Sequence, residues 1–513
     1  MDTFLGLPFL ALTDSYKISH PDVYPEARKM VAYGEFRKSF QGDKEDERIV
    51  FYGLRYIVDR YVRHRWTQEE VDRAAEFFST HIAEDKPFPF PRDLFDRIVQ
   101  EHDGIFPVKI EALPEGSICY PHVPVYQITA EGKFSRLVTF LETLLTMVWY
   151  PSTVATLSRR TRSLIESKYA LSVDPEAYGS LGSRLNDFGF RGCTCVEQAV
   201  LGGCAHLLNF DGTDTLAAAY YAQYHLNEGR AVGSSIPATE HSVMTAFKTE
   251  REAILRMIDL YGEGAFACVM DSYDYAKALK KVLPSVMEAK WEKGGFMVLR
   301  PDSGDPIQAV IMALKAADEV AGSRVNGKGY KVLRGMGVIQ GDGVDYSKCE
   351  RILDAVLDEG YSAENVAFGM GGGLLQKVNR DTMSFATKLS HITYASGEVR
   401  DVMKTPKTDP KKFSLPGELV VQQDDTSVKG GLTVRPREEV GPKEKTEWQV
   451  VYDHGRVCEW DNFDQVRLRL NHQWSIRPRT CDVISPGLHA KVGRVIQEMK
   501  SRETADVRAS EMP

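Results

Sequence analysis

The chain has 513 residues, of which 43% are hydrophobic and 27% charged, enough for about two to four domains with a sizeable core. Its 72 acidic and 64 basic side chains give a formal net charge of −8 with both signs interspersed, which argues against a nucleic-acid binder and its basic domain. No apolar run approaches the roughly 18 residues of a membrane span, so no membrane association is expected.

Residues 5–12 are apolar but carry no basic leader or cleavage-site pattern, so they read as an opening strand or loop packed on the core, not a signal peptide. Residues 67–80 place Val71, Ala74, Ala75, Phe77 and Phe78 along one side of a helix, and 108–113 and 123–129 read as strands. Residues 1–150 therefore suggest a mixed α/β domain. The apolar stretch 134–150 reads as a helix that stops at Pro151, a hinge into the next domain.

Seven short apolar runs follow, each stopping at Gly, Asp, Arg or His. They are 185–190 before Arg191, 206–210 before Asp214, 232–236 before Glu240 and His241, and 266–270 before Asp271. The others are 295–299 before Arg300-Pro301-Asp302-Ser303-Gly304, 337–340 before Gly341-Asp342-Gly343, and 365–368 before Gly369 and Gly371-Gly372-Gly373. A continuous apolar run bounded by turn residues is a strand buried on both faces. Helical stretches at 307–317 and 349–357 lie between such runs, which recur about every 20 to 40 residues as βα units do. Polar groups at the C-terminal ends of successive parallel strands converge on one mouth. The expected fold is α/β: an irregular seven-stranded β/α barrel over 151–384, holding an active site.

Beyond 385 the pattern changes. Residues 404–445, rich in Lys, Pro, Asp and Gly, read as a long loop or hairpin excursion. Residues 449–452 resemble a strand, 464–470 and 487–499 look helical, and 501–513 form a polar tail expected to fray. The segment 385–513 is expected to complete the N-terminal domain. Of the eight cysteines, Cys193 and Cys195 form a C-x-C, but no second pair lies at zinc-ligand spacing and no N-x-[ST] sequon occurs. Free thiols in a reducing cytoplasm fit best.

The chemistry concentrates at the run ends. Gly369-Met370-Gly371-Gly372-Gly373 follows a strand and opens a helix, where bare amides can hold a phosphate; a tight turn is the alternative. Gly341-Asp342-Gly343-Val344-Asp345 repeats the arrangement with a carboxylate suited to ribose hydroxyls. In Arg300-Pro301-Asp302, the rigid proline fixes a cation and a carboxylate relative to one another, either for a phosphate and a sugar hydroxyl or as a pair closing a turn. His241, with Glu240 adjacent and Asp271 on the next strand, suits a general base or a phosphate-accepting imidazole. The string 322–329 imitates a P-loop, but Gly329 stands where Ser or Thr should bind magnesium, and it follows a helix, so it reads as a surface turn. No G-x-G-x-x-G stands in a Rossmann context.

Together these strings resemble the nicotinamide phosphoribosyltransferase family, in order: Asp187-Phe188-Gly189-Phe190-Arg191-Gly192, 209–215, 236–242, Asp271-Ser272-Tyr273-Asp274, 300–304, 338–345 and 368–377. Thr13-Asp14-Ser15-Tyr16-Lys17 and Glu35-Phe36-Arg37 match as well; the resemblance spans most of 10–410 and fades in the last hundred residues. It implies a pentosyltransferase in which nicotinamide attacks phosphoribosyl pyrophosphate, Mg²⁺ accompanies the leaving pyrophosphate, and ATP is a co-substrate that stimulates turnover through a phosphohistidine. It also implies a cytoplasmic homodimer with shared active sites.

Carried over by resemblance, Phe188 and a partner subunit's Tyr16 would sandwich the pyridine, and Asp214 would accept from the carboxamide. Arg300 would serve base and phosphate, with Arg191 a further phosphate ligand. Asp302 would take the ribose side, joined by Gly341 and Asp342, and Gly371 and Gly372 the 5′-phosphate. Arg380, Lys388 and the partner's Arg37 would meet pyrophosphate or nucleotide phosphates. His241 would be phosphorylated, oriented by Glu240 and Asp271; the metal ligands stay unassigned. Ser234, Ala267 and Asn186 stand where animal members carry Tyr, Ser and His, which bears on the tunnel that admits the base. Two alternatives remain: a nicotinate phosphoribosyltransferase, against which Asp214 argues, and a non-catalytic nucleotide-binding regulator.

Overall fold

Most of the apolar runs in the middle of the chain become a curled sheet of six parallel strands. The computed structural model describes residues 7–510 other than 84, 406–412 and 425–429. The chain divides into two units: Met1–Thr153 with Arg380–Asp461 and Gln465–Pro513, and Val154–Asn379 with Asn462–Asp464.

In the second unit the strand order is Ala265–Val269, Phe296–Arg300, Met336–Gln340, Val366–Met370, Leu185–Asp187 and Gly212–Thr213. Every neighbouring pair is parallel. Single parallel bridges, Gly212 with Ser234 and Ala238 with Ala267, attach the 234–238 segment to both edge strands. Helices fill the crossovers. Asp305 accepts from the Gln308 N–H and Pro306 opens the helix Pro306–Ala321, which buries Ala309, Val310, Ala313, Leu314 and Ala317 along one face. Full burial of a side chain such as Val310 or Leu314 is worth roughly 1.5–3 kcal/mol. Asp345 accepts from the Lys348 N–H, so this carboxylate caps the helix Tyr346–Asp358.

Two expected strands are not there. The run 206–210 is the end of the helix Val196–Leu207 and the loop after it, and the strand begins only at Gly212. Gly202, Gly203, Cys204, Ala205, His206 and Leu207 are all buried, and a helix buried on every side yields the same apolar run as a buried strand. The run 232–236 contributes one bridge, at Ser234, rather than a strand. The string that imitates a P-loop forms one arm and the turn of a hairpin, Ser323–Val325 against Lys331–Leu333.

The first unit holds a seven-stranded antiparallel sheet: Val399–Asp401, Phe385–Tyr394, Ala27–Phe36, Pro124–Glu131, Val108–Ala112, Gln449–Asp453 and Arg456–Val457. Strands from the C-terminal third thus flank both sides of the N-terminal ones. The helix Gln68–Thr80 opens with a capping box between Thr67 and Glu70 and buries Val71, Ala74 and Phe78, leaving Phe77 exposed. The excursion 404–445 contains the hairpin Leu419–Asp424 with Gly431–Pro436.

No helix stops at Pro151. The 134–150 stretch breaks into a 3₁₀ turn, Gly132–Leu137, and a short helix, Glu142–Thr146; a new helix then runs from Trp149 to Ser172. Pro151 sits in its first turn, where a missing N–H leaves no intrahelical bond unmade. The C-terminal helix Pro486–Ser510 continues through most of the segment expected to fray.

Candidate active site

Because parallel strands point the same way, their C-terminal ends bring residues distant in sequence onto one mouth of the second unit. A cavity of about 760 Å³ opens there, lined by Phe188, Phe190, Arg191, Asp214, Thr215, Glu240, His241, Ser242, Arg300, Asp302, Gly341, Asp342 and Gly371. Ten of these are among the residues singled out from the sequence. Asp271 lies beneath the surface, its side chain 3% exposed.

At one side is an aromatic floor. The Arg300 guanidinium carbon lies 5.3 Å from the centre of the Phe188 ring. Bare backbone makes room for that ring: a Cβ on Gly369 would stand 2.0 Å from Phe188 Cε2, and one on Gly341 would stand 3.2 Å from it. Within the glycine cluster, then, Gly369 serves packing. So does Gly373, where a Cβ would meet the Val344 carbonyl oxygen at 2.4 Å. Gly372, which starts the short helix Gly372–Leu375, has more room, since a Cβ there would meet only Gln376 Oε1 at 3.6 Å, whereas one on Gly371 would stand 3.2 Å from the Phe188 carbonyl oxygen.

Across the floor, Asp214 is exposed and accepts from the Ser235 hydroxyl at 2.5 Å. Arg300 Nη2 donates to Asp302 Oδ1 at 3.1 Å, while its Nε is buried with no hydrogen-bond partner among the described residues. A guanidinium with an uncommitted donor is what an incoming phosphate or carbonyl needs.

His241 opens the helix His241–Ala246. Its Nδ1 is 3.1 Å from the Ser272 hydroxyl, and its Nε2 is 3.4 Å from Asp302 Oδ2 and 3.9 Å from Asp271 Oδ1. Asp271 Oδ2 accepts from the Asp302 N–H at 3.1 Å and from the Ser303 hydroxyl, which locks the loop carrying Asp302. Glu240 is turned to Ser242, whose hydroxyl donates to it at 2.5 Å. The imidazole is therefore flanked by Ser272, Asp302 and Asp271, and Glu240 meets a different partner.

Sequence reasoning missed the hydroxyls of Thr215, Ser235, Ser242, Ser272 and Ser303. Four of them directly follow a chosen carboxylate, imidazole or other chosen group in sequence, but a serine in a loop carries no signal by itself. It also passed over Asp187, fully buried at the end of its strand, where burial pushes the carboxyl up to about 6.

Tyr16, Arg37, Arg380 and Lys388 belong to the first unit. Tyr16 is exposed on the helix Ser15–Val23. Lys388 pairs in register with Tyr33 on the strand that leads to Arg37. Burial, and next the Arg37 charge, hold its ammonium below the usual lysine range. Arg37 Nη2 is buried without a hydrogen-bond partner among the described residues. Two crowded cations with spare donors suit an anionic ligand. Arg380 starts the 3₁₀ turn Arg380–Thr382.

Comparison with known proteins gives the same direction. A family model described as the nicotinate phosphoribosyltransferase family matches residues 183–431, and one for the nicotinamide phosphoribosyltransferase N-terminal domain matches 8–110. The chain is 40% identical over 421 residues to a nicotinamide phosphoribosyltransferase of Xanthomonas campestris, covering 80% of this chain and 87% of that protein. It is 30% identical over 494 residues to one from Acinetobacter baylyi, covering 90% and 96%. In fold it is similar to human nicotinic acid phosphoribosyltransferase, with a TM-score of 0.64 at 19% identity over 94% of this chain and 99% of that one.

Proposed function

The chain belongs to the nicotinamide phosphoribosyltransferase family, and from that premise we propose that it joins nicotinamide to phosphoribosyl pyrophosphate, forming nicotinamide mononucleotide and pyrophosphate for NAD synthesis. The single observation that carries the choice of base is Asp214, an exposed carboxylate on the cavity that holds the Phe188 ring. A carboxylate accepts from a neutral carboxamide NH₂ and repels the carboxylate of nicotinate.

In this reading Phe188 stacks the pyridine, Arg300 and Arg191 meet the carbonyl and phosphates, Asp302 and Asp342 take the ribose hydroxyls, and Gly371 and Gly372 cradle the 5′-phosphate. The pyridine nitrogen attacks C1 of the ribose as the C1–O bond to pyrophosphate breaks, through an oxocarbenium-like transition state. No base is needed, so positioning and cationic support of the leaving group supply the rate. Tyr16, Arg37, Arg380 and Lys388 act on the base and the phosphates, Tyr16 and Arg37 from the partner of a homodimer.

Mg²⁺ fits as a companion of the substrate. Among the described residues no group of three or more His, Cys, Asp or Glu side chains could hold a metal, and Mg²⁺ commonly binds through substrate phosphates and one or two carboxylates. Asp302 and Asp342 line the cavity and would be those carboxylates. Bound there, the ion would neutralise pyrophosphate charge.

ATP phosphorylates His241 in this scheme. Its Nε2 faces Asp302 and Asp271, which leaves Nδ1, beside the Ser272 hydroxyl, to accept the phosphoryl group. The bridges through Ser234 and Ala238 favour a seven-membered, nearly closed barrel. A cytoplasmic setting fits eight free cysteines and the absence of any helix, among the described residues, long and apolar enough to cross a membrane.

Steady-state assays of nicotinamide and nicotinate with phosphoribosyl pyrophosphate, with and without ATP, test this reading. Nicotinamide should be strongly preferred and stimulated by ATP. Preference for nicotinate would make the chain the sister enzyme, and no pyrophosphate release would leave a regulator.

A further inference from the structure

A second carboxylate stands directly behind the proposed base subsite. Asp187 ends the strand Leu185–Asp187 and immediately precedes Phe188. It is fully buried, yet it touches both walls of the subsite. Its Oδ1 accepts from the Gly189 N–H at 2.7 Å, which folds the chain under the Phe188 ring. Its backbone carbonyl accepts from the Asp214 N–H at 3.0 Å, which sets the start of the opposite wall. Phe188 itself is tied by its N–H to the Met370 carbonyl at 3.1 Å. Oδ2 is buried with no hydrogen bond among the described residues, and so is the Thr215 hydroxyl beside it. A Cβ on Gly203, in the helix behind, would meet Oδ2 at 3.2 Å, so the carboxylate packs closely against that helix.

Resting on the nicotinamide reading above, we propose that Asp187 is a positioning residue that sharpens discrimination between neutral amide and charged acid. It joins the stacking ring to Asp214 by backbone and side chain, and when ionised it adds a second negative charge behind Asp214. It does not touch the substrate.

The groups that face it define when this charge appears. They are the Gly189 amide, the Thr215 hydroxyl, the Asp214 carboxylate and the Cys193 thiol. Burial raises the carboxyl most. The Gly189 hydrogen bond and the nearby Thr215 hydroxyl pull it down, the Asp214 charge raises it again, and the balance lies at about 6. Below that pH, Asp187 is neutral and only Asp214 repels an acid. Above it, two carboxylates do, so selectivity for the amide rises with pH. Nicotinate's own carboxylic acid is already ionised from about pH 5.5 upward. Titration of the phosphates of phosphoribosyl pyrophosphate affects both bases alike and cancels in their ratio.

The test is the ratio of the inhibition constant of nicotinate to the KM of nicotinamide, measured from pH 5.5 to 8 on the full enzyme. In the wild type it should rise roughly tenfold with a midpoint near 6, the size expected of one partly screened charge at the range of a neighbouring side chain. Asp187→Asn keeps the acceptor for Gly189 and should flatten the profile. Thr215→Val, which removes the hydroxyl dipole that favours the charged form, should move the midpoint upward even if the Asn variant fails to fold. A wild-type ratio that does not change with pH, or a profile unmoved by either substitution, overturns the proposal while leaving nicotinamide turnover intact. Absence of pyrophosphate release from nicotinamide at every pH would sink both this and the function it rests on.

Discussion

The Phe188 ring lies where a side chain on Gly369 would otherwise be, with the hypothetical Cβ 2.0 Å from Phe188 Cε2. A glycine one strand away therefore sets the height of the proposed stacking platform. Gly369→Ala should push the ring outward and raise the KM for nicotinamide about 3- to 10-fold, the worth of one aromatic contact, and overpacking should cost about 1–3 kcal/mol of stability. Steady-state kinetics and urea unfolding check both. Unchanged values in each would show that the ring has another place to go.

Asp214→Asn should erode preference for nicotinamide over nicotinate. Loss of a charge-assisted hydrogen bond costs about 1.5–3 kcal/mol, or roughly 10- to 150-fold in nicotinamide efficiency. The new amide can also donate to the acid's carboxylate. A variant that kept its full discrimination would remove Asp214 from the base subsite.

His241→Ala should abolish stimulation by ATP and leave slow, ATP-independent synthesis, since attack by the pyridine nitrogen requires no base. Loss of both activities would instead assign the imidazole, with Asp302 and Asp271 beside it, a structural or acid–base role.

Asp187 also predicts how stability varies with pH. Its folded carboxyl lies at about 6, above the usual carboxylate value of about 3.9, so the folded state retains a proton that the unfolded chain gives up. Its contribution is therefore complete below about pH 4 and lost as pH rises to about 6, a difference of about 3 kcal/mol. Asp187→Asn should be more stable than the wild type at pH 7.5 and lose that advantage near pH 4. Urea unfolding at the two pH values measures this, and a gap independent of pH contradicts it.

Subunit sharing is tested by mixing. Tyr16→Ala and Asp302→Ala are each expected to be inactive alone. If Tyr16 acts across the dimer, protomer exchange restores one intact site per mixed dimer and recovers roughly a quarter of wild-type activity. Mixed dimers without recovery would place Tyr16 on its own subunit's site.

Local sequence determined much of the scaffold by itself. The strands Ala265–Val269, Phe296–Arg300, Met336–Gln340 and Val366–Met370 were legible because each is a continuous apolar run closed by turn residues. The residues after them stood out in the sequence because charged groups, glycine and proline recur at the run ends, and the structure gathers ten of the residues singled out around one cavity. Such reasoning failed where two structures share one pattern. The buried helix Val196–Leu207 looks like a buried strand, and Pro151 looks like a stop although it sits where a helix tolerates it.

Only the tertiary structure decided which groups meet. That Gly369 makes room for Phe188, that His241 faces Ser272 and Asp302 while Glu240 turns to Ser242, and that Asp187 lies behind Asp214 are contacts of different strands and loops. The register of the parallel sheet sets them, and that register follows from packing the whole set of strands and crossover helices, so no local string encodes it.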